Sequence, residues 1–332
     1  MGEFDLIERY FKRPARNAVL GVGDDCALLQ AASGTQLAIS CDMLVEGRHF
    51  LSTVDPFKLG HKALAVNLSD LAACGATPRA FTLALALPRA DPAWLEPFSR
   101  GLLSLADAHG CELIGGDTTQ GPLNICITVF GEVPVRQGKS QALLRSGAQP
   151  GDDIYVSGNI GDARLALEVF RGTHTVPGAV FAQARQRMEQ PSPRVALGQA
   201  LRGVATAAID VSDGLLGDLG HVLKQSGVGA RIETAFATDL VACRANPAWA
   251  GCPPGQQLSE AQWLELALAG GDDYELVFTA PASARVAVAT AAQESQTSVT
   301  RLGTIEAAPG LRLIDANGQP LERRYPSFDH FA

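Results

Sequence analysis

Thr82-Leu83-Ala84-Leu85-Ala86-Leu87, the stretch from Trp94 to His109, and Ile125-Cys126-Ile127-Thr128-Val129-Phe130-Gly131-Glu132-Val133 follow one another in this chain. The first and third read as strands and the second as a helix, and alternating strands and helices with apolar faces predict a layered α and β domain. Upstream, Leu64, Leu68 and Leu71 recur at helical spacing between Lys58 and Ala73. Ala65, Ala72 and Ala73 lie between them, so this helix can pack closely. Ala18-Val19-Leu20-Gly21 and Gln36-Leu37-Ala38-Ile39-Ser40 read as strands that run into Gly23-Asp24-Asp25 and Asp42. Downstream the pattern ends near Pro134, and Ser146 to Asp153 is a turn-rich joint. Two domains are expected, residues 1–135 and 150–332, in an α/β (α+β) class. The second is read as a strand Ile154–Ser157, a helix Asp162–Arg171 and a loosely patterned region with Pro177, Pro191 and Pro193. A strand Ala205–Val211, a helix Gly214–Gln225, a strand Tyr274–Thr279 and a helix Ala282–Gln293 follow. Asn246 to Gln257, around Trp249, reads as an irregular surface excursion.

At 332 residues and 46% hydrophobic, the chain can bury two cores, which argues against a short peptide-binding module. Lysine plus arginine number 27 against 35 aspartates plus glutamates, a net charge of −8 that offers no broad attraction to nucleic acid or an anionic membrane. A phosphate ligand would therefore need a metal ion or a few well-placed donors. The seven cysteines are scattered without a CxxC pair, which fits a reducing compartment better than a disulfide framework or zinc knuckle. Acidic residues at Glu3 and Asp5 do not suit a signal peptide, and no apolar run reaches membrane-spanning length. A soluble cytoplasmic protein is expected.

The most informative feature is a set of aspartates at strand ends or in glycine-rich turns: Asp24, Asp25, Asp42, Asp70, Asp117, Asp210, Asp213, Asp272 and Asp273. An ionised carboxylate at the mouth of a core is costly unless it is paired or binds a cation, and lysine and arginine are sparse beside these positions. Magnesium suits them, because it prefers oxygen ligands and bridges carboxylates to phosphate oxygens. The plainer reading of any one of them is a helix or turn cap. Calcium is the other candidate ion, but no EF-hand spacing is present. Gly115-Gly116-Asp117-Thr118-Thr119 reads as a turn able to bring amides to an anion, and Ser212-Asp213-Gly214-Leu215 as a helix start with the same capacity. No GxxxxGK[ST] or complete GxGxxG is present. His49 suits substrate contact or a surface hydrogen bond. Cys41 reads as a small buried residue rather than a nucleophile, and Arg145 as a phosphate contact or a solvated arginine.

These motifs resemble the thiamine-monophosphate kinase family, within the wider group similar to aminoimidazole-ribonucleotide synthetase, selenophosphate synthetase and the hydrogenase maturation dehydratase. The resemblance spans almost the whole chain and is carried by six stretches. They are Gly21-Val22-Gly23-Asp24-Asp25, Asp42 to Phe50, Asn67-Leu68-Ser69-Asp70, Gly115-Gly116-Asp117-Thr118, Asp210-Val211-Ser212-Asp213-Gly214-Leu215 and Gly270-Gly271-Asp272-Asp273-Tyr274-Glu275-Leu276. The terminal Phe328-Asp329-His330-Phe331 adds to it.

The resemblance implies ATP- and magnesium-dependent phosphorylation of thiamine monophosphate to thiamine diphosphate, the final step of thiamine diphosphate biosynthesis. It implies direct in-line transfer with no general base. By family likeness Asp24, Asp42, Asp70, Asp117 and Asp210 would hold several magnesium ions, with Ser40 and Cys41 lending oxygens and Asp213 holding a further ion. Gly116, Asp117, Arg145 and Ser212 match nucleotide positions, and His49, Asp272 and Phe328 match the substrate side. The family folds as two domains, an N-terminal mixed-sheet domain forming a barrel-like core in a homodimer and a C-terminal α/β domain, with its active site in the cleft between them. Two departures stand out. Cys41 replaces the usual threonine, leaving only a backbone carbonyl to offer, and Asp272 replaces the usual glutamate, with a reach shorter by one methylene. The competing readings are another ATP-using enzyme of the group, such as selenophosphate or aminoimidazole-ribonucleotide synthetase, and a metal-dependent nucleotide-binding protein without turnover.

Overall fold

The structure is a computed structural model that describes residues 2–253, 257–323 and 325. It divides into two compact units, Met1–Leu71 with Gly75–Ala142, and Ala72–Cys74 with Leu143–Ala332.

The first unit runs α1 (Glu3–Tyr10), β1 (Thr35–Val45), α2 (Pro56–Ala73), β2 (Thr77–Leu87), α3 (Pro92–Ala108), β3 (Glu112–Gln120), β4 (Asn124–Arg136) and the short β5 (Lys139–Ser140). Its mixed sheet has the order β1-β4-β2-β3, with β2 and β3 parallel, β4 antiparallel to both β1 and β2, and β5 paired to β4. The parallel pair requires a crossover, which α3 supplies. Asp91 starts that helix by accepting the Ala93 N–H at 3.0 Å, and Pro92 occupies its first turn, where a missing N–H costs nothing. Alternation gives the sheet two unequal faces. Phe81, Leu83 and Leu85 of β2 and Ile125, Ile127 and Val129 of β4 are buried, whereas Leu37, Ile39 and Met43 of β1 are exposed on the other face.

Three local expectations change. Ala18 to Gly21 is no strand: Leu20 makes only an isolated bridge to Leu28. β1 extends past Ser40, so Asp42 lies within the strand, opposite Ile127, rather than at its end. Gly115 to Thr119 is part of β3, not a turn. A register shift skips Ile114 between the pairs Phe81↔Leu113 and Thr82↔Gly115. Gly116, at φ 150°, then lies so close to β2 that a Cβ there would come within 1.9 Å of the Leu83 carbonyl oxygen. The glycines serve close strand approach.

The second unit contains β6 (Asp152–Ser157), α4 (Asp162–Phe170), α5 (Gly178–Glu189), α6 (Val195–Ala200), β7 (Ala207–Val211), α7 (Leu215–Ser226), β8 (Gly229–Glu233), α8 (Glu260–Ala269), β9 (Glu275–Pro281), α9 (Arg285–Glu294), β10 (Val299–Glu306) and β11 (Gly310–Ile314). The sheet order is β11-β8-β10-β6-β9-β7, and only β8 and β11 pair in parallel. Every residue of β6 and β7 is buried, as expected of strands covered on both faces. The loosely patterned, proline-marked region contains α5 and α6. Trp249 in the irregular segment is anchored: its Nε1 donates to the Cys243 carbonyl at 2.8 Å and its ring meets Trp263 edge-on at 5.7 Å.

Candidate active site

In the first unit β1 and α2 bring four of the motif residues together. Asn67, one turn before Asp70 on α2, accepts the Asp42 N–H at 3.1 Å and donates to the Ala63 carbonyl at 3.0 Å. The Ser40 hydroxyl donates to Asp70 Oδ2. Ser40 and Asp42 share one face of β1 because they are two residues apart. Burial, and then the charge of Asp70, push the Asp42 carboxyl up to about 6. A carboxylate on β1 and one on α2, the first resisting ionisation because of burial and the charge of the second, fit a hard cation.

Cys41 faces the other way, its Sγ 3.5 Å from Cys126 Sγ, so any contribution to an ion beside Asp42 is limited to its backbone. Asp24 is exposed in the 21–25 loop and accepts the Asp25 N–H at 2.9 Å. Asp117 is exposed on β3, in the row that runs Met43, Cys126, Ala84, Asp117, so it lies on the face of the sheet opposite Asp42 and three strands from it. Among the described residues no three His, Cys, Asp or Glu side chains converge into a preformed cage.

His49 folds back on its own turn. Its Nδ1 accepts the Val45 N–H at 3.0 Å, which leaves the ring proton on Nε2 in the neutral form.

In the second unit Asp210 is buried in β7, opposite Leu276 of β9, and the following loop carries Ser212 and Asp213. That loop is organised by a residue the sequence reading did not select. Asp218, in the first turn of α7, accepts the N–H groups of Ser212, Asp213 and Gly214 on one oxygen, at 3.0, 3.0 and 3.1 Å. The expectation that these amides face a phosphate is thereby corrected, because they point inward at a buried carboxylate. Burial is the largest influence on Asp218 and pushes it up to about 7 despite those hydrogen bonds. The readable signal was an acidic residue in a first helical turn, where it suits the helix dipole.

Asp272 lies in the 270–274 turn at φ 70°, and Tyr274 follows at φ 54°. The turn rests on the loop after β7: Asp272 N–H donates to the Ser212 carbonyl at 2.8 Å and Tyr274 N–H to the Val211 carbonyl at 2.9 Å. A Cβ on Gly271 would come within 2.3 Å of the Ser212 carbonyl oxygen, so glycine is what permits the contact. Arg145 is exposed in the segment before β6, and its carbonyl accepts the Ser226 hydroxyl at 3.3 Å. Phe328 lies outside the described residues.

Both halves of the chain match models of one family. Residues 23–133 match the AIR synthase related protein N-terminal domain and residues 149–316 the corresponding C-terminal domain. The chain is therefore a two-domain protein of the AIR synthase related class. The "Thiamine-monophosphate kinase" of Escherichia coli (strain K12) is 45% identical over 338 residues, covering 100% of this chain and 98% of that protein. The crystal structure of thiamine-monophosphate kinase from Stenotrophomonas maltophilia K279a superposes with a TM-score of 0.80 at 42% identity, covering 96% of each chain. A structure described as "AaThiL complexed with AMPPCP and TMP" gives 0.72 at 26% identity over 91% of this chain and 89% of that one. At such identity over full length, this chain belongs to the thiamine-monophosphate kinase family.

Proposed function

We propose that this protein transfers the γ-phosphoryl group of ATP to thiamine monophosphate, forming thiamine diphosphate and ADP. The observation that carries the reading is the partly buried Asp42–Asp70 pair, in a chain 45% identical along its length to a thiamine-monophosphate kinase. A relative solved with AMPPCP and TMP supports ATP and the monophosphate as its two substrates.

When bound, magnesium would neutralise phosphate charge and polarise the transferring group. In the first unit Asp42 and Asp70 fit as its first holders, with Asp24, Ser40, the Cys41 carbonyl and Asp117 assigned to the same set of several ions; in the second unit Asp210 is assigned to that set as well and Asp213 to a further ion. Gly116, Asp117, Arg145 and Ser212 are assigned to the nucleotide. His49, Asp272 and Phe328 are assigned to thiamine monophosphate, whose cationic ring suits a carboxylate and an aromatic face. The acceptor is a phosphate oxygen already ionised near neutral pH, so no base has to take its proton. His49, whose Nδ1 accepts the Val45 N–H, is held in place by its own turn.

Two further features extend the reading. Leu37, Ile39 and Met43 are 46%, 60% and 52% exposed along an edge strand of the sheet, and a second copy of the chain covering that face would bury them. A homodimer is accordingly part of the proposal. Seven scattered cysteines without a CxxC pair favour a reducing cytoplasm, and no helix among the described residues is long and apolar enough to cross a membrane.

Radiolabel from [γ-³²P]ATP tests the transfer step. The label is expected in the terminal phosphate of thiamine diphosphate, with none left on the protein after denaturation. A labelled protein, or label released only as inorganic phosphate, would refute direct transfer.

A further inference from the structure

Behind the 270–274 turn lies a cluster that the proposed chemistry does not use, the buried carboxylates Asp162, Asp273 and Glu275 with the partly buried Arg187 and Arg194. Glu275 hydrogen-bonds both guanidiniums, and one positive charge is left to face the two aspartates. Its carboxylate accepts from Arg187 Nη2 at 2.9 Å, from Arg194 Nε and Nη2 at 2.6 and 2.5 Å, and from the Ser157 hydroxyl at 2.6 Å. Arg187 reaches Asp273 only at its main-chain carbonyl, at 3.4 Å. Asp273 and Asp162 therefore have no guanidinium hydrogen-bonded to either carboxyl group.

Each of these two aspartates has one oxygen on a backbone amide. Asp273 Oδ2 accepts the Gly161 N–H at 2.8 Å, and Asp162 Oδ1 accepts the Cys243 N–H at 2.9 Å. Their second oxygens, Asp273 Oδ1 and Asp162 Oδ2, are buried with no hydrogen-bond partner. Because Asp273 binds the amide immediately before Asp162, the two carboxyls are near neighbours; burial above all disfavours ionisation of Asp273, the Gly161 N–H and the Arg187 charge oppose this, and the charge of Asp162 adds to it. Two adjacent buried carboxylates, each with an orphan oxygen, are costly as a doubly charged pair. One proton between them removes a charge and supplies a donor. The remaining charge sits at the first turn of α4, where the helix dipole favours it.

The turn that Asp273 closes is held in an unusual backbone conformation. Asp272 and Tyr274, on either side of it, both have positive φ, which non-glycine residues adopt only when their surroundings impose it. The Asp273 side chain is the link from this turn to the start of α4.

We infer that Asp273 and Asp162 share one proton, and that this pair is a latch holding the 270–274 turn so that Asp272 meets thiamine monophosphate. Asp273 is thus a positioning residue acting through Asp272, and its effect on substrate rests on the function proposed above.

The test compares Asp273→Ala, Asp273→Asn and wild type in steady-state kinetics and in infrared difference spectra at neutral pH. Asp273→Ala is expected to raise the KM for thiamine monophosphate about ten-fold or more, with the KM for ATP within about two-fold, since small misplacements weaken positioning interactions selectively. Asparagine offers Gly161 an acceptor and Asp162 a donor, so Asp273→Asn is expected to recover the monophosphate KM to within about three-fold. The wild-type minus Asp273→Asn difference spectrum is expected to show a protonated-carboxyl C=O band that Asp218, common to both proteins, does not contribute. Equal rises in both KM values, or an asparagine variant no better than alanine, would overturn the latch. Absence of the band would overturn the shared proton. Should wild type make no thiamine diphosphate, the kinase reading fails by itself, and the infrared difference still decides the proton. Should Asp273→Ala not fold, Asp273→Asn and Asp162→Asn carry the comparison, each expected to remove the band.

Discussion

Asp42→Asn is expected to lower kcat by about a thousand-fold while making the metal-free protein more stable at pH 8. The first effect follows from removing the carboxylate best placed to hold magnesium, since several kcal/mol of charge stabilisation corresponds to about three powers of ten in rate. The second follows from the raised pKa. The Asp42 carboxyl sits at about 6 in the folded protein against an ordinary value of 3.8, because burial and Asp70 both oppose its charge. A group raised on folding binds its proton more tightly in the native state. Its stabilising contribution is complete below about pH 4, declines as pH rises through about 6, and is absent at pH 8. The difference amounts to at most about 3 kcal/mol. Asparagine has no such ionisation, so the variant is expected to keep its stability across that interval. Magnesium should raise the Tm of wild type at pH 8 and leave Asp42→Asn unmoved. Thermal melts from pH 4 to 8, with and without magnesium, check the direction. Parallel loss of Tm and activity would show that Asp42 is a structural residue instead.

The other large effect is expected at Asp218. Alanine there leaves the N–H groups of Ser212, Asp213 and Gly214 without their acceptor in a region where water is scarce. Each orphaned donor costs about 1–3 kcal/mol, and partial relaxation of the loop brings the total to about 3–5 kcal/mol. The same loop carries Ser212 and Asp213, so the KM for ATP is expected to rise about ten-fold or more in whatever fraction stays folded. Asp218→Asn keeps an oxygen for all three amides. Its stability should lie within about 1 kcal/mol of wild type at pH 6, where the native carboxyl, raised to about 7, is largely protonated as well. Denaturant melts and ATP titrations of the two variants separate these outcomes. Equal damage from asparagine and alanine would mean that the charge, not the acceptor, organises the loop.

Much of the fold is visible in periodicity. Leu83, Leu85 and Leu87 alternate with small residues, as do Ile125, Ile127 and Val129, and the structure places both runs in neighbouring central strands. β3 was hidden because Gly115-Gly116 resembles a turn, whereas the glycines there admit the Leu83 carbonyl. α5 was hidden between Pro177 and Pro191, which read as breakers but sit just outside its two ends. α8 carried a readable capping box, Ser259 with Gln262, that was not used. β8, β10 and β11 contain exposed or half-exposed polar positions such as Arg231, Thr300 and Arg301, which blur a two-residue period.

For the candidate site, Asp42, Asp70 and Ser40 could be placed from motifs, and their contact through α2 was not in the spacing. Asp273 stands out in the sequence as one of the aspartates and Asp218 only as an acid in a first helical turn, and the role of each is hidden for a different reason. Their importance lies in which backbone amides they accept and in their burial, and neither is a property of a local pattern.

A phosphorus NMR time course with purified protein, magnesium and ATP, offering thiamine monophosphate in one sample and free thiamine in another, tests the proposed reaction most directly. Thiamine diphosphate and ADP growing together from the monophosphate alone, without free phosphate, is the predicted result. No diphosphate from a folded, ATP-binding sample would contradict the assignment.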